Sequence, residues 1–208
     1  MKKWFAIIPL VMFGLPAHAE TVAEQLQYKL AKLNSFQASF VQQVTDKQQK
    51  PVQEDGEGYL VLKQPARFRI ETTTPVANLL IGDGKTLWHY DPELEMLSVY
   101  DAKKEVQQTP FVLLTSNDSA LWSQYHVTGA AEHFVITPKD SKNTVKKLEL
   151  RFSGLGLSQM TLLDNNGQTT NFEFVTSQNN IPVDDSQFKF VPPPGVSIDD
   201  QRQRLSHP

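Results

Sequence analysis

The sequence predicts a mainly β fold in which helices cover one opening of a curved antiparallel sheet. Three features predict it. Apolar residues alternate with period two through most of the chain, turn residues separate the alternating runs, and only two stretches carry helical spacing. Many short strands with short links indicate hairpins rather than βαβ units. The 208 residues suit one domain, and 39% hydrophobic with 21% charged residues supplies a packed core.

Residues 1–19 read as a signal peptide. Lys2 and Lys3 precede a mostly apolar run from Trp4 to Leu15, too short to span a bilayer. Ala17-His18-Ala19 then forms a small-x-small cleavage site. The expected mature domain is 20–208, exported and soluble, with Glu20 as its first residue.

A helix opens that domain. Thr21 and Glu24 have capping-box spacing, and Val22, Leu26, Leu30 and Leu33 share one face. In the strand that follows, Phe36, Ala38, Phe40 and Val44 share a face, with Gln42 among them. Further strand runs lie at 58–63, 66–71, 77–81, 86–90, 94–100, 125–128, 134–137, 145–152, 157–163, 169–176 and 188–191. Asp83-Gly84, Gly129, Asn165-Asn166-Gly167 and Asn179-Asn180 supply turns between them. Pro110 suits the first turn of a helical piece over Phe111–Leu114, and Ser119 is expected to cap a short turn carrying Leu121 and Trp122. Pro192-Pro193-Pro194-Gly195 should run over the surface. A sheet of about ten strands tends to curl or close. The space beneath its helices is then filled core or a cavity, and periodicity leaves both open.

Composition narrows the function. With 20 Lys+Arg against 23 Asp+Glu and a net charge of −3, the chain lacks the basic footprint of a nucleic-acid or anionic-membrane binder. Zero cysteine removes disulfides, thiolate ligands, a cysteine nucleophile and acyl attachment at an N-terminal cysteine. His126 and His133 flank Gly129 without an obvious third ligand, so no metal site and no cofactor is expected. Gly84-Lys85-Thr86 has Leu79 where a phosphate-binding loop needs glycine, and reads as a hairpin turn. Glu93 and Glu95, Asp184-Asp185 and Asp199-Asp200 are sequence neighbours beside turns or prolines, unlike carboxylates opposed across a cleft. Neither a nucleophile elbow nor a zinc-protease helix motif occurs, so the residues give no sign of an enzyme.

Four segments together resemble the LolA family of periplasmic lipoprotein carriers. They are SFQASFVQQVTD from Ser35 to Asp46, DGKTLWHYDP from Asp83 to Pro92, TPFVLL from Thr109 to Leu114, and FVPPPGVSIDDQR from Phe190 to Arg202. They occur in the family's order and span nearly all of 20–208. The resemblance implies a single lipoprotein-carrier domain: an incomplete, half-open antiparallel β-barrel with a helical lid over an apolar cavity for acyl chains. It also implies a monomer in the periplasm that takes acylated lipoproteins from an inner-membrane lipoprotein-releasing ABC transporter complex. Delivery would be to the outer-membrane receptor LolB.

Strand parity fits that implication. Between Gly58 and Ile70, one parity holds Leu60, Leu62, Gln64, Phe68 and Ile70; the other holds Tyr59, Val61, Lys63, Arg67 and Arg69. The first set should face inward and the arginines outward. The implied acyl-chain cavity is lined by Phe36, Ala38, Phe40, Leu60, Leu62, Phe68 and Ile70, with Leu80, Trp88, Tyr90 and Met160 as further wall. Leu26, Leu30, Leu33, Phe111 and Leu114 would form the lid. One departure stands out: the family carries arginine before the proline of its Lys-x-Pro segment, where it bonds the lid shut. Here that lid latch position is Gln64, which donates hydrogen bonds without a charge. The alternative is a related β-sheet sensor or peptide- or lipid-binding module, whose concave face would need polar groups for a peptide backbone.

Overall fold

A computed structural model describes residues 20–102, 111–141 and 143–202. The signal-peptide segment 1–19, Thr109, Pro110 and the C-terminal residues from 203 lie outside the described residues. The elements run α1 (Val22–Ala31), β1 (Ser35–Thr45), β2 (Gly56–Lys63), β3 (Arg67–Thr74), β4 (Asn78–Gly82), β5 (Thr86–Asp91) and β6 (Met96–Asp101). After these come α2 (Phe111–Thr115), α3 (Ser119–Trp122), β7 (Tyr125–Ala130), β8 (His133–Pro138), β9 (Val145–Ser153), β10 (Gly156–Asp164), β11 (Thr169–Asn179) and β12 (Ser197–Asp200). Among the described residues no helix is long and apolar enough to cross a membrane.

All the strands join in one 12-stranded sheet, ordered β12-β6-β5-β4-β3-β2-β1-β11-β10-β9-β8-β7. Its edges, β12 and β7, do not pair, so the barrel is incomplete, as the family resemblance implies. The first strand, β1, sits in the middle. It pairs antiparallel with β2 on one side and β11 on the other, joining the N-terminal hairpins to the C-terminal ones. A bulge at Ser39/Phe40 shifts the β1–β11 register and leaves Val175 without a partner across the ladder.

Three sequence expectations need correction at the ends of elements. The run 188–191 is not a strand: Asp185–Phe188 is a single 3-10 turn, capped by Asp184, and the prolines follow it. The last strand instead lies at Ser197–Asp200, paired parallel to β6 in an otherwise antiparallel sheet. The cap of α3 is Asp118 rather than Ser119, its carboxylate accepting from the backbone N–H groups of Ala120 and Leu121.

The two faces of the sheet bury different things. The inner face carries one large cluster in which Phe36, Phe40, Leu60, Leu62, Phe68, Ile70, Leu87, Leu150, Met160 and Phe172 pack beneath the three helices. The outer face carries a smaller cluster of Val61, Ile81, Val183 and Phe188, joined by Leu79, Trp88 and Phe190. The segment 183–190 therefore straps the back of the sheet. Lys63 Nζ donates to the Val183 carbonyl at 2.6 Å and pairs with Asp185, which Arg67 meets at 2.5 Å. The hydrogen bond from Lys63 is the main reason the Asp185 carboxyl lies below the usual carboxylate range.

Glycines decide how tightly the inner face packs. Phe68 on β3 faces Gly82 on β4, and a β-carbon there would stand 2.4 Å from the Phe68 ring. The ring lies flat over bare backbone, a position only glycine allows. Gly82→Ala is expected to cost about 1–3 kcal/mol by overpacking, read as a lower midpoint in urea unfolding with unchanged slope. An unchanged midpoint would mean the ring moves aside freely.

Candidate functional site

The cover over the inner face is built from local chemistry. The Thr21 hydroxyl accepts from the Glu24 N–H at 3.2 Å, and the Glu24 carboxylate accepts from the Thr21 N–H at 2.7 Å. This closed capping box starts α1, whose Leu26 and Leu30 point inward with Leu33 just beyond its end. At the far end, Asn180 takes a left-handed conformation (φ 58°). Its side chain accepts from Asn34 N–H at 2.8 Å and donates to the Lys32 carbonyl at 3.0 Å. The end of α1 is thus tied to the end of β11.

The helices α2 and α3 are one turn each, far too short to stand alone in water. Tertiary packing holds them. The Phe111 ring stacks on Phe68 of β3 (centroids 6.0 Å apart) and meets Phe172 of β11 edge-on at 6.1 Å. Phe172 in turn contacts Phe40 of β1 at 5.2 Å. One lid ring thereby bridges both halves of the sheet. Leu113, Leu114, Leu121 and Trp122 are also buried, and Trp122 Nε1 donates to the Ser116 carbonyl at 2.8 Å.

Direct hydrogen bonds between lid and sheet are sparse. Ala66 N–H donates to the Thr115 carbonyl at 2.8 Å. The Gln64 side-chain amide donates to two carbonyls, Leu30 on α1 and Leu114 on α2, each at 3.4 Å. These bonds are at the long limit, and the other end of the same amide, Oε1, is buried with no partner among the described residues. Gln64 therefore touches both helices at once, weakly, and carries an uncompensated oxygen.

The sequence-predicted lining separates into two groups. Phe36, Ala38, Phe40, Leu60, Leu62, Phe68, Ile70 and Met160 all lie in the inner cluster with Leu26, Leu30, Leu33, Phe111 and Leu114, and Leu80 packs against it half-buried. Trp88 and Tyr90 do not. Trp88 pairs with Ile81 and Tyr90 with Leu79, all on the outer face, and the Tyr90 ring lies 5.2 Å from Phe190 of the strap. The assignment of both to the wall is corrected by parity: on β5 it is Leu87 and His89 that face inward. Leu87, Phe134, Leu150, Phe172 and Phe174 also serve the inner face and were not singled out from sequence. Arg67 and Arg69 do face outward, Arg69 pairing with Glu71 at 2.6 Å.

Among the described residues, two cavities adjoin this cover. One, of about 270 Å³, lies at Phe68, Gly82, Val112 and Leu121. The other, of about 260 Å³, opens between Phe111 and Phe172 and is rimmed by Gln42, Gln53, Thr72 and Asn78. Each falls just short of the roughly 300–1,000 Å³ usual for a small-molecule site. Beside the second cavity, His89 shares a 2.8 Å hydrogen bond with Asn78, and burial pushes its imidazole pKa down despite the nearby Asp91. Among the described residues there is no group of three or more His, Asp or Glu side chains placed to hold a metal ion; His133 instead meets Glu149 at 3.2 Å.

Residues 31–191 match the family model described as outer membrane lipoprotein carrier protein LolA. The chain belongs to the LolA family. Relatives named outer-membrane lipoprotein carrier protein include those of Pectobacterium carotovorum (41% identical, 98% of this chain and 100% of the relative) and Haemophilus influenzae (41%, 98% and 100%). The relative from Pasteurella multocida is 40% identical over 94% of this chain and 95% of its own. A Thermus thermophilus protein of solved structure, described as uncharacterized, shares the fold at TM-score 0.53 and 13% identity, covering 87% of this chain and 100% of the other. In this LolA-family chain the side chain at position 64 makes two long bonds to the lid and holds one stranded oxygen.

Phe111 is the lid ring that bridges both halves of the sheet, so Phe111→Ala is expected to lower stability by up to about 3–5 kcal/mol. Amide exchange should accelerate across Phe111–Thr115 while β9 and β10 keep their protection. Equal protection of that segment in both proteins would show that the ring does not hold the lid.

Proposed function

We propose that the chain is a periplasmic carrier that shields the acyl chains of lipoproteins beneath the lid and delivers them to the outer membrane. The observation that carries the reading is a broad apolar inner face covered by helices that hold on chiefly through packing and through few hydrogen bonds. Such a cover can lift without breaking the sheet. Cargo would be received from the inner-membrane ABC transporter complex and passed to LolB by the monomer. Residues 1–19 would serve as the export signal.

The energetics favour this use over a permanent lipid site. An acyl chain of about fifteen methylenes gains on the order of 12 kcal/mol by leaving water, at 0.8 kcal/mol each. In the closed conformation the lid leucines and Phe111 occupy the same surface, with Leu26 and Phe36 fully buried. Cargo must displace them, and the apolar area they expose offsets much of the gain. The net affinity is intermediate, as a shuttle between donor and acceptor requires. Transfer makes and breaks no covalent bond, so the chain acts without catalysis.

Gln64 is a weak latch on the lid. Its buried Oε1 carries a desolvation cost of about 1–3 kcal/mol that opening relieves. An arginine at this site would replace neutral bonds with charge-assisted ones, about twice as strong. Gln64→Arg is therefore expected to weaken and slow the binding of a fluorescent alkyl probe several-fold. Identical affinity and kinetics would remove Gln64 from the latch.

Overexpressing a lipoprotein with the chain and isolating both from periplasm tests the reading as a whole. A 1:1 complex by intact mass, absent when the cargo's acylation site is mutated, is the expected result. A complex that survives loss of acylation would transfer the argument to the sensor or peptide-binding module.

A further inference from the structure

The inner face changes character toward one rim. Along β3 it runs Phe68, Ile70, Thr72, and β4, read from its Gly82 end, runs Gly82, Leu80, Asn78, with each successive pair directly opposed. On β1 the same face runs Phe36, Ala38, Phe40, Gln42. Apolar rows thus end in a polar row on three strands, and that row rims the 260 Å³ cavity floored by Phe111 and Phe172. Gln53 completes it from the loop before β2. On β2 the positions opposite Gln42 and Phe40 are Gly56 and Gly58, which contribute no side chain to fill the space.

The chemistry of this rim is specific in two respects. None of the described residues lining the cavity is an acid or a base. All four rim side chains are amides or a hydroxyl, groups that both donate and accept. A phosphate would call for Arg or Lys, which bind it by charge and fork geometry. Ester and amide linkages are different: they are neutral, their carbonyls accept, and an amide N–H donates. His89, on the same face, shares the 2.8 Å bond with Asn78 and stands opposite buried Ser98 of β6 in the ladder.

We infer that Gln42, Thr72 and Asn78 form a subsite for the uncharged ester and amide linkages that join acyl chains to a lipoprotein's amino terminus. The inference rests on the carrier reading and adds a selectivity to it. Acyl chains pass inward over Phe111 and Phe172, the linkages stop at the polar row, and the peptide leaves through the open mouth. A phospholipid of equal chain length finds the same apolar floor with no partner for its phosphate.

Three probes bound to the purified domain test it: a synthetic peptide with an acylated amino-terminal diacylglyceryl-cysteine, phosphatidylglycerol of the same chain length, and an alkyl fluorophore without ester or amide groups. Asn78→Leu and the isosteric Thr72→Val are expected to weaken lipopeptide binding about fivefold or more, roughly one lost hydrogen bond. Alkyl-probe affinity should stay within about twofold, which also reports that the variants fold. The wild-type domain should bind lipopeptide more tightly than phosphatidylglycerol. Unchanged lipopeptide affinity, parallel loss of the alkyl probe, or phosphatidylglycerol bound equally well would overturn the subsite while leaving the carrier reading standing. If the wild-type domain binds neither lipopeptide nor alkyl probe, the carrier reading and the subsite fall together.

Discussion

An open sheet with one apolar face cannot exist in water uncovered, and that constraint organises everything else in the molecule. A closed barrel would bury its interior by itself. Here β7 and β12 do not meet, so the inner face depends on α1, α2 and α3 for its cover. Two of these helices are single turns without independent stability. Sheet and lid are thus mutually required, and the lid is the less tightly bonded partner.

The topology concentrates that dependence at the centre. Because β1 lies between β2 and β11, its Phe36 and Phe40 meet Phe174 and Phe172 across the seam between the two halves. Phe111 spans the same seam from above, touching β3 and β11 together. The back of the sheet is stiffened independently by the strap 183–190 and its Lys63–Asp185–Arg67 ion pairs. Motion of the lid can therefore leave the outer cluster intact.

Local rules were legible in the sequence and global ones only partly. The Thr21–Glu24 box and the parity of 58–70 follow from spacing alone, and both are realised as read. The outward placement of Trp88 and Tyr90 is not legible because β4 and β5 carry large apolar groups on both faces, and parity cannot say which face is inner. That answer comes from Val183, Phe188 and Phe190, about a hundred residues later, folding behind them. Ser197–Asp200 has no apolar alternation at all; it is a strand because the chain returns beside β6 and finds unpaired backbone there. The polar rim is illegible in the sequence for a related reason. Gln42, Thr72 and Asn78 sit on three separate strands, and only the register brings them to one edge.

The same residues that close the molecule are those a hydrophobic ligand must displace, and this self-competition explains why a neutral side chain suffices at position 64. Leu26, Leu30, Leu33, Phe111 and Leu114 already gain several kcal/mol by leaving water, about 1.5–3 for each fully buried side chain. A latch added to that need contribute little. Two bonds at 3.4 Å, offset by one stranded oxygen, contribute little on balance. What Gln64 adds is geometry: from the turn between β2 and β3 it bonds to both α1 and α2, so parting either helix from the sheet frees the amide to water. On the carrier reading, closure is then set by how much lid surface is buried, and the latch only makes the two helices part together.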